Sequence, residues 1–365
     1  MEKRWGFGQT YNFRRLVATR RLENFSHKNL QIVCDIDKTY LETNFSGTLQ
    51  LIKIAFEQAN QKVTVPGAAT FLRALRWYNP DKALSRDSEH NQPHALHFVS
   101  ASPPQLRRTL DEKLRRDGLD WSTDSFKNQA YNLRKGRLGF LRHHVAYKTA
   151  TVLKLIDEAP PKAKFVLIGD SAELDSYIYI GLTAYLNGNL TDAEYIDYLK
   201  IGGVNSEVAE DLKSVLRRNR QTEVAAILIR KVPGHRLNRI PPITDAVYFF
   251  DNYLNATLVM LVLGFVDSAG LASLVREFHD ISGYTIYEIL LSLKRFEPIL
   301  PEEYVRDLIE ELAMVYQRLH NKAFSSEILT KPNLSPSPVQ ITVKGPELLL
   351  AAKRWAQVTT QNYKA

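Results

Sequence analysis

Short, nearly unbroken apolar runs recur along the chain: LQIVCDI (30–36), ALHFVSA (95–101), KFVLIGD (164–170) and VAAILIR (224–230). Runs of this length, without polar alternation, are expected of strands buried on both faces of a sheet. None is followed by a tight hairpin turn. Between them AATFLRALRWY (68–78), PPQLRRTLDEKLRRDG (103–118) and YKTATVLKLIDEAP (147–160) carry apolar residues at helical spacing, the last two stopping at Gly118 and Pro160. Strands separated by helices imply crossover connections, hence an α/β fold with a mostly parallel sheet.

The pattern changes past residue 177. TDAEYIDYLKIGG (191–203) and NSEVAEDLKSVLRRN (205–219) read as two capped helices inserted before the fourth strand. Beyond residue 240 the spacing is helical throughout, and a Pro/Ser linker (TKPNLSPSPVQ) precedes a last amphipathic stretch, PELLLAAKRWAQ. The expected organisation is a basic N-terminal segment (1–29), a catalytic-size domain (30–240) with a helical insertion at about 177–221, a helical region (241–323), and a linker with a terminal helix (324–365).

Composition narrows the setting. A net charge of +8 favours anionic partners: acidic lipid surfaces, phosphorylated substrates or, less favoured, nucleic acid. The single cysteine, Cys34, excludes an internal disulfide framework and reads as a small core residue. The one stretch of bilayer length, Val247 to Val266, contains Asp251, Asn252 and Asn255, so a buried helix is expected there and no transmembrane segment. With no secretory signal in its basic N-terminus, the chain is expected in the cytoplasm, with basic clusters such as RRLVATRR available to hold it at a membrane surface.

Ligands of an open parallel sheet bind beyond the carboxyl ends of its strands. That edge gathers Asp35, Asp37, Ser100, Ser102 and Asp170, each at or just past a strand end. An unpaired buried carboxylate costs several kcal/mol, so acidic residues ending an apolar strand need another reason to be there. One of an aspartate pair can act as nucleophile and metal ligand and the other as general acid, while a neighbouring hydroxyl holds a phosphoryl oxygen. Lys148 in YKTATVLKLI can neutralise negative charge, and the aspartates of GDSAELD complete an oxygen site suited to Mg²⁺.

In this order, DIDKT, FVSAS, Lys148 and GDSAELD resemble the haloacid dehalogenase-like superfamily. CDIDKTYLET, FVSASPPQL, KFVLIGDSAELDSYIY and VAAILIRKV are similar, further, to the catalytic domain of the actin-patch-associated phosphatidate phosphatases, although Lys38 stands where that family carries an acidic residue. The resemblance implies a Rossmann-like three-layer fold with a helical C-terminal addition. It also implies a Mg²⁺-dependent phosphate-monoester hydrolase acting on phosphatidate or a related lipid. Asp35 would then be the nucleophile and Asp37 the acid/base. Ser100, or alternatively Ser102, would hold the phosphoryl group, and Lys148 would pair with nucleophile and phosphate. Mg²⁺ would sit on Asp35, the Asp37 backbone carbonyl and Asp170, with Thr39, Ser171 and Asp175 in support. Two other readings stay open: the same chemistry on a soluble, nucleic-acid or protein phosphate ester, and a basic binding or scaffold protein on a phosphatase fold. His143 and His144 precede Lys148 without a partner motif, and Arg230 reads as a solvated strand-end arginine rather than a phosphate ligand. Oligomeric state, and whether the insertion is a substrate cap, are left open by the residues.

Overall fold

The computed structural model describes residues 17–42, 62–78, 92–128, 144–216, 221–235, 247–285, 288–289, 317 and 339–362. The expectations for the first sixteen residues, His143, the helical runs between 290 and 316 and most of the linker lie outside these residues. Seven strands form one sheet: β1 (Val17–Arg21), β2 (Leu30–Asp35), β3 (Ala95–Ser100), β4 (Thr123–Lys127), β5 (Lys164–Asp170), β6 (Glu223–Arg230) and β7 (Tyr248–Phe250). Their spatial order is β1-β4-β3-β2-β5-β6-β7; β1 runs antiparallel to β4 and every other pair is parallel. The fold is α/β. Chain order reverses at β2, which starts in the middle of the sheet, so a crevice is expected at the carboxyl ends of β2 and its neighbours β3 and β5.

Helices cover both faces. On one side lie α1 (Ala68–Trp77), α2 (Arg107–Arg116), α7 (Tyr253–Val262) and α8 (Ser268–Arg276). On the other lie α3 (His144–Glu158), α4 (Asp175–Leu186), α5 (Asp192–Ile201), α6 (Ser206–Leu216) and α9 (Gly345–Asn362). Alternate strand residues feed the two cores: Ile32 and Cys34 point into the first, Val33 into the second, and Val166 and Ile168 oppose Phe165 and Leu167 in the same way. This two-sided burial is why the strands read as continuous apolar runs.

The sheet reaches past both ends of the segment 30–240: β1 comes from the basic N-terminal stretch and β7 from the stretch after it. Asp124 in β4 accepts hydrogen bonds from Arg20 of β1, Arg107 (2.7 Å) and the Trp121 indole (3.1 Å). The bilayer-length stretch resolves into β7 and the ten-residue α7, every residue of it buried, and among the described residues no helix is long and apolar enough to cross a membrane. The inserted helices form part of the second layer. α5 opens with a capping box, Thr191 and Glu194 bonding reciprocally. Tyr177 of α4 stacks on Tyr198 of α5 at 4.2 Å and on Trp355 of α9 at 4.5 Å.

Candidate active site

Asp35 is the last residue of β2 and is fully buried. Beyond it the chain folds into a tight loop: the Tyr40 and Leu41 amides both donate to Ile36 O at 2.9 Å, and Lys38 takes a left-handed backbone with φ of 60°. A non-glycine residue there costs about 1–2 kcal/mol, so the loop needs support from its surroundings. Thr39 Oγ1 donates to Asp35 Oδ2 at 3.1 Å, which holds the carboxylate from within the loop. Asp37 turns toward β3, where Ser100 Oγ (2.8 Å) and Ser102 Oγ (3.0 Å) donate to the same oxygen, Oδ2. Pro103 occupies the cap position of the short turn that follows, without a side-chain bond.

Lys148 lies one turn into α3 with its side chain 1% exposed. Its Nζ sits 2.8 Å from Asp35 Oδ1 and 3.0 Å from Glu173 Oε2, and it also pairs with Asp175 Oδ1. Burial opposes its charge, but Asp175, Asp35 and Glu173 overcome that and hold the ammonium well above the ordinary lysine range. Burial likewise works against a charged Glu173, yet Lys148 and then His144 hold it down at about 2. Asp170 ends β5; its Oδ1 accepts from the Ala172 and Glu173 amides at 2.6 and 2.8 Å. Asp175 begins α4 without capping it, the cap position being Leu174. Instead its Oδ2 accepts from the Asp170 amide at 3.1 Å, so it braces the neighbouring strand end. Gly169 makes this contact sterically feasible, since a Cβ there would lie 2.4 Å from Asp175 Oδ2 and 2.5 Å from Asp175 Cβ.

Carboxylate oxygens of Asp35, Asp170 and Asp175 lie within 4.8 Å of one another, and all three residues are buried. Asp170 Oδ2 has no hydrogen-bond partner despite being buried. Burial and the crowding of like charges push the Asp35 and Asp170 carboxyls well above the usual range. A single buried ammonium facing this many carboxylates leaves a deficit of positive charge, so the residues fit a divalent cation with hard oxygen ligands. Asp175 has both oxygens engaged, which leaves Asp170 Oδ2 as the carboxylate oxygen best placed to receive an ion.

The structure brings Asp35, Asp37, Thr39, Ser100, Ser102, Lys148, Asp170 and Asp175 together, with Ser100 and Ser102 donating to Asp37 where a phosphoryl contact was expected, while Ser171 faces elsewhere. Its amide donates to Arg230 O (2.9 Å) and its hydroxyl accepts from the Val232 amide (2.9 Å), tying β5 to β6. Glu173, quoted within GDSAELD but given no role, turns out to be a direct partner of Lys148. His144 Nδ1 is 3.9 Å from Glu173 Oε2. Arg230 departs from the solvated strand-end reading: it is 8% exposed, and its Nη1 donates to Lys38 O at 2.6 Å. Lys127, at the carboxyl end of β4, is 3% exposed, and burial pulls its ammonium down to about 8.

A parallel sheet whose central strand end carries a buried carboxylate–lysine pair and a cation-ready acidic cluster defines an α/β protein with an enzyme-type site. Residues 30–191, somewhat under half of the chain, match the family model of the phosphatidate phosphatase APP1 catalytic domain. The matched span contains Asp35, Asp37, Ser100, Lys148, Asp170 and Asp175, and over it the chain resembles a phosphatase catalytic domain. No curated protein and no solved structure gives a significant match.

Proposed function

We propose that the protein is a Mg²⁺-dependent phosphate-monoester hydrolase of the haloacid dehalogenase-like type, acting on phosphatidate or a closely related lipid phosphate. The observation that carries this reading is the Asp35–Lys148 pair at 2.8 Å beside the unpartnered Asp170 Oδ2, within the span that matches the phosphatidate phosphatase catalytic domain. In the first half-reaction an Asp35 carboxylate oxygen attacks phosphorus. A phosphorus–oxygen bond to Asp35 forms, the ester bond breaks, and the leaving oxygen takes a proton from Asp37. In the second, Asp37 takes a proton from water, the water oxygen attacks phosphorus, and the aspartyl-phosphate bond breaks to return the Asp35 carboxylate and free phosphate.

Ser100 and Ser102 aim Asp37 by bonding one of its oxygens, so the other is left for the proton in transit. Burial pushes the Asp37 carboxyl up, which suits a group that must carry a proton near neutral pH. Lys148 fixes the nucleophile's orientation together with Thr39 and adds positive charge where the phosphoryl group develops negative charge. Asp35, Asp170 and the Asp37 backbone carbonyl would hold Mg²⁺, with Asp175 bracing Asp170; the ion would supply further charge stabilisation for phosphoryl transfer. The net charge of +8 supports work at an anionic membrane surface, reached from the cytoplasm, and among the described residues no helix is long and apolar enough to cross a membrane.

The test compares Mg²⁺-dependent phosphate release from phosphatidate vesicles and from p-nitrophenyl phosphate. Release from both, with a marked preference for phosphatidate, supports the reading. Release from the small ester alone retains the chemistry and discards the lipid. No release from either overturns it and leaves the binding-protein reading.

A further inference from the structure

Two groups outside the matched span 30–191 reach back to the loop that carries Asp35 and Asp37. Arg230, at the end of β6, donates from Nη1 to Lys38 O at 2.6 Å, and its Nη2 lies 3.9 Å from Glu42 Oε1. Tyr253, the first residue of α7, donates its hydroxyl to Thr39 O at 2.9 Å. Both side chains are held in place: Arg230 is 8% exposed, and Tyr253 is fully buried against Phe71 and Phe250, with ring centroids at 5.2 Å in each case. The residues they hold matter to the loop's shape and to the carboxylate. Lys38 has the left-handed backbone, and Thr39 is the residue whose hydroxyl orients the Asp35 carboxylate. The Arg230 carbonyl, meanwhile, accepts from the Ser171 amide, so one residue bridges the loop after β2 and the acidic turn after β5.

We propose that Arg230 and Tyr253 are positioning residues of the site, and that the region beyond residue 240 completes the Asp35–Leu41 loop rather than merely adding bulk to the fold. The β7–α7 unit does this by pairing with β6 (Arg230 opposite Phe250) and delivering Tyr253 three residues later. Loss of either clamp frees the Lys38–Thr39 peptide, and Asp35 and Asp37 lose their relative aim while substrate contacts stay in place. For kinetics this inference rests on the proposed phosphatase reading; for loop geometry it does not.

The test uses the full chain with Tyr253→Phe, which keeps the ring and removes only the hydroxyl, and Arg230→Lys, which keeps the charge and loses the fork. Amide hydrogen exchange in 36–41 is expected to rise about tenfold or more in both variants while amides of β5 stay protected. With the phosphate ester that wild type hydrolyses, kcat is expected to fall by about ten- to a hundredfold with KM within about threefold, as misplacement of reacting groups produces. Unchanged exchange in 36–41 overturns the proposal, whether or not the protein hydrolyses any ester. So does loosened exchange with wild-type kcat, or a kcat loss matched by a fall in the folded fraction. A wild type inactive on every ester, beside loosened exchange in the variants, defeats the phosphatase reading and leaves the clamp established.

Discussion

Replacing Lys148 with methionine keeps the length of the buried stem and removes only its charge. The ammonium is 1% exposed and touches the buried Asp35 and Asp175 and the partly exposed Glu173, so the variant leaves these carboxylates without their counter-charge, two of them out of reach of water. Two routes give the size of the effect. Breaking a buried ion pair from one side costs about 3–5 kcal/mol. Separately, Glu173 is held at about 2 against an ordinary 4.5, a difference worth about 3 kcal/mol at neutral pH. Because that carboxyl is depressed in the folded state, its contribution is complete above pH 4.5 and disappears as pH falls through about 2. Both routes put the loss at about 3 kcal/mol at pH 7, measured by urea unfolding of wild type and Lys148→Met side by side. A loss below about 1 kcal/mol would mean that the three contacts carry no more than a surface ion pair does, and the picture of a charged, buried cluster would be wrong.

The other expectations concern pH and sterics. His97 is fully buried between Gln31 Oε1 (2.8 Å) and Thr123 Oγ1 (2.9 Å), and burial, followed by Arg76, Lys28 and Arg21, pulls it to about 3. The unfolded chain takes up that proton near 6.5 and the folded one does not, so wild type should lose roughly 1.4 kcal/mol per pH unit as pH falls below 6.5 toward 3. His97→Gln should show a flatter dependence in the same unfolding series, and an identical slope would remove His97 as the cause. Gly169→Ala drives a methyl to within 2.5 Å of Asp175 Cβ, and should cost about 1–3 kcal/mol by thermal unfolding with a disproportionate loss of kcat. Wild-type activity in that variant would show that Asp175 need not sit against Asp170.

The four apolar strands were readable because each is buried on both faces and needs no partner from outside the sheet to explain its residues. β4 was not, for the opposite reason. Its TDSFK is fully buried yet almost entirely polar, and what satisfies Asp124 are Arg107 of α2 and, far away in sequence, Arg20 of β1. β7 hid inside a run whose length and apolarity suggested one helix. The candidate site was legible because chemistry concentrates it at strand ends and one helix start: Asp35, Asp37, Ser100 and Asp170 lie in short strand-end motifs, and Lys148 one turn into α3. Asp175 is named by the motif, but its orientation is decided by the contact with the Asp170 amide. Tyr253 lies in no motif, and Arg230, within VAAILIRKV, reads from sequence as a solvated strand-end residue. They act through backbone carbonyls, and nothing in a sequence marks the donor to a carbonyl some two hundred residues away.

The central claim is that Asp35 becomes covalently attached to the phosphoryl group. Its most direct test is to mix the protein with Mg²⁺ and ³²P-labelled phosphatidate, quench in acid, and look for label on the chain. Wild type quenched during turnover should carry a hydroxylamine-sensitive label on the peptide containing Asp35, and Asp35→Asn should carry none. Label on another residue, or turnover that survives in Asp35→Asn, would contradict the account.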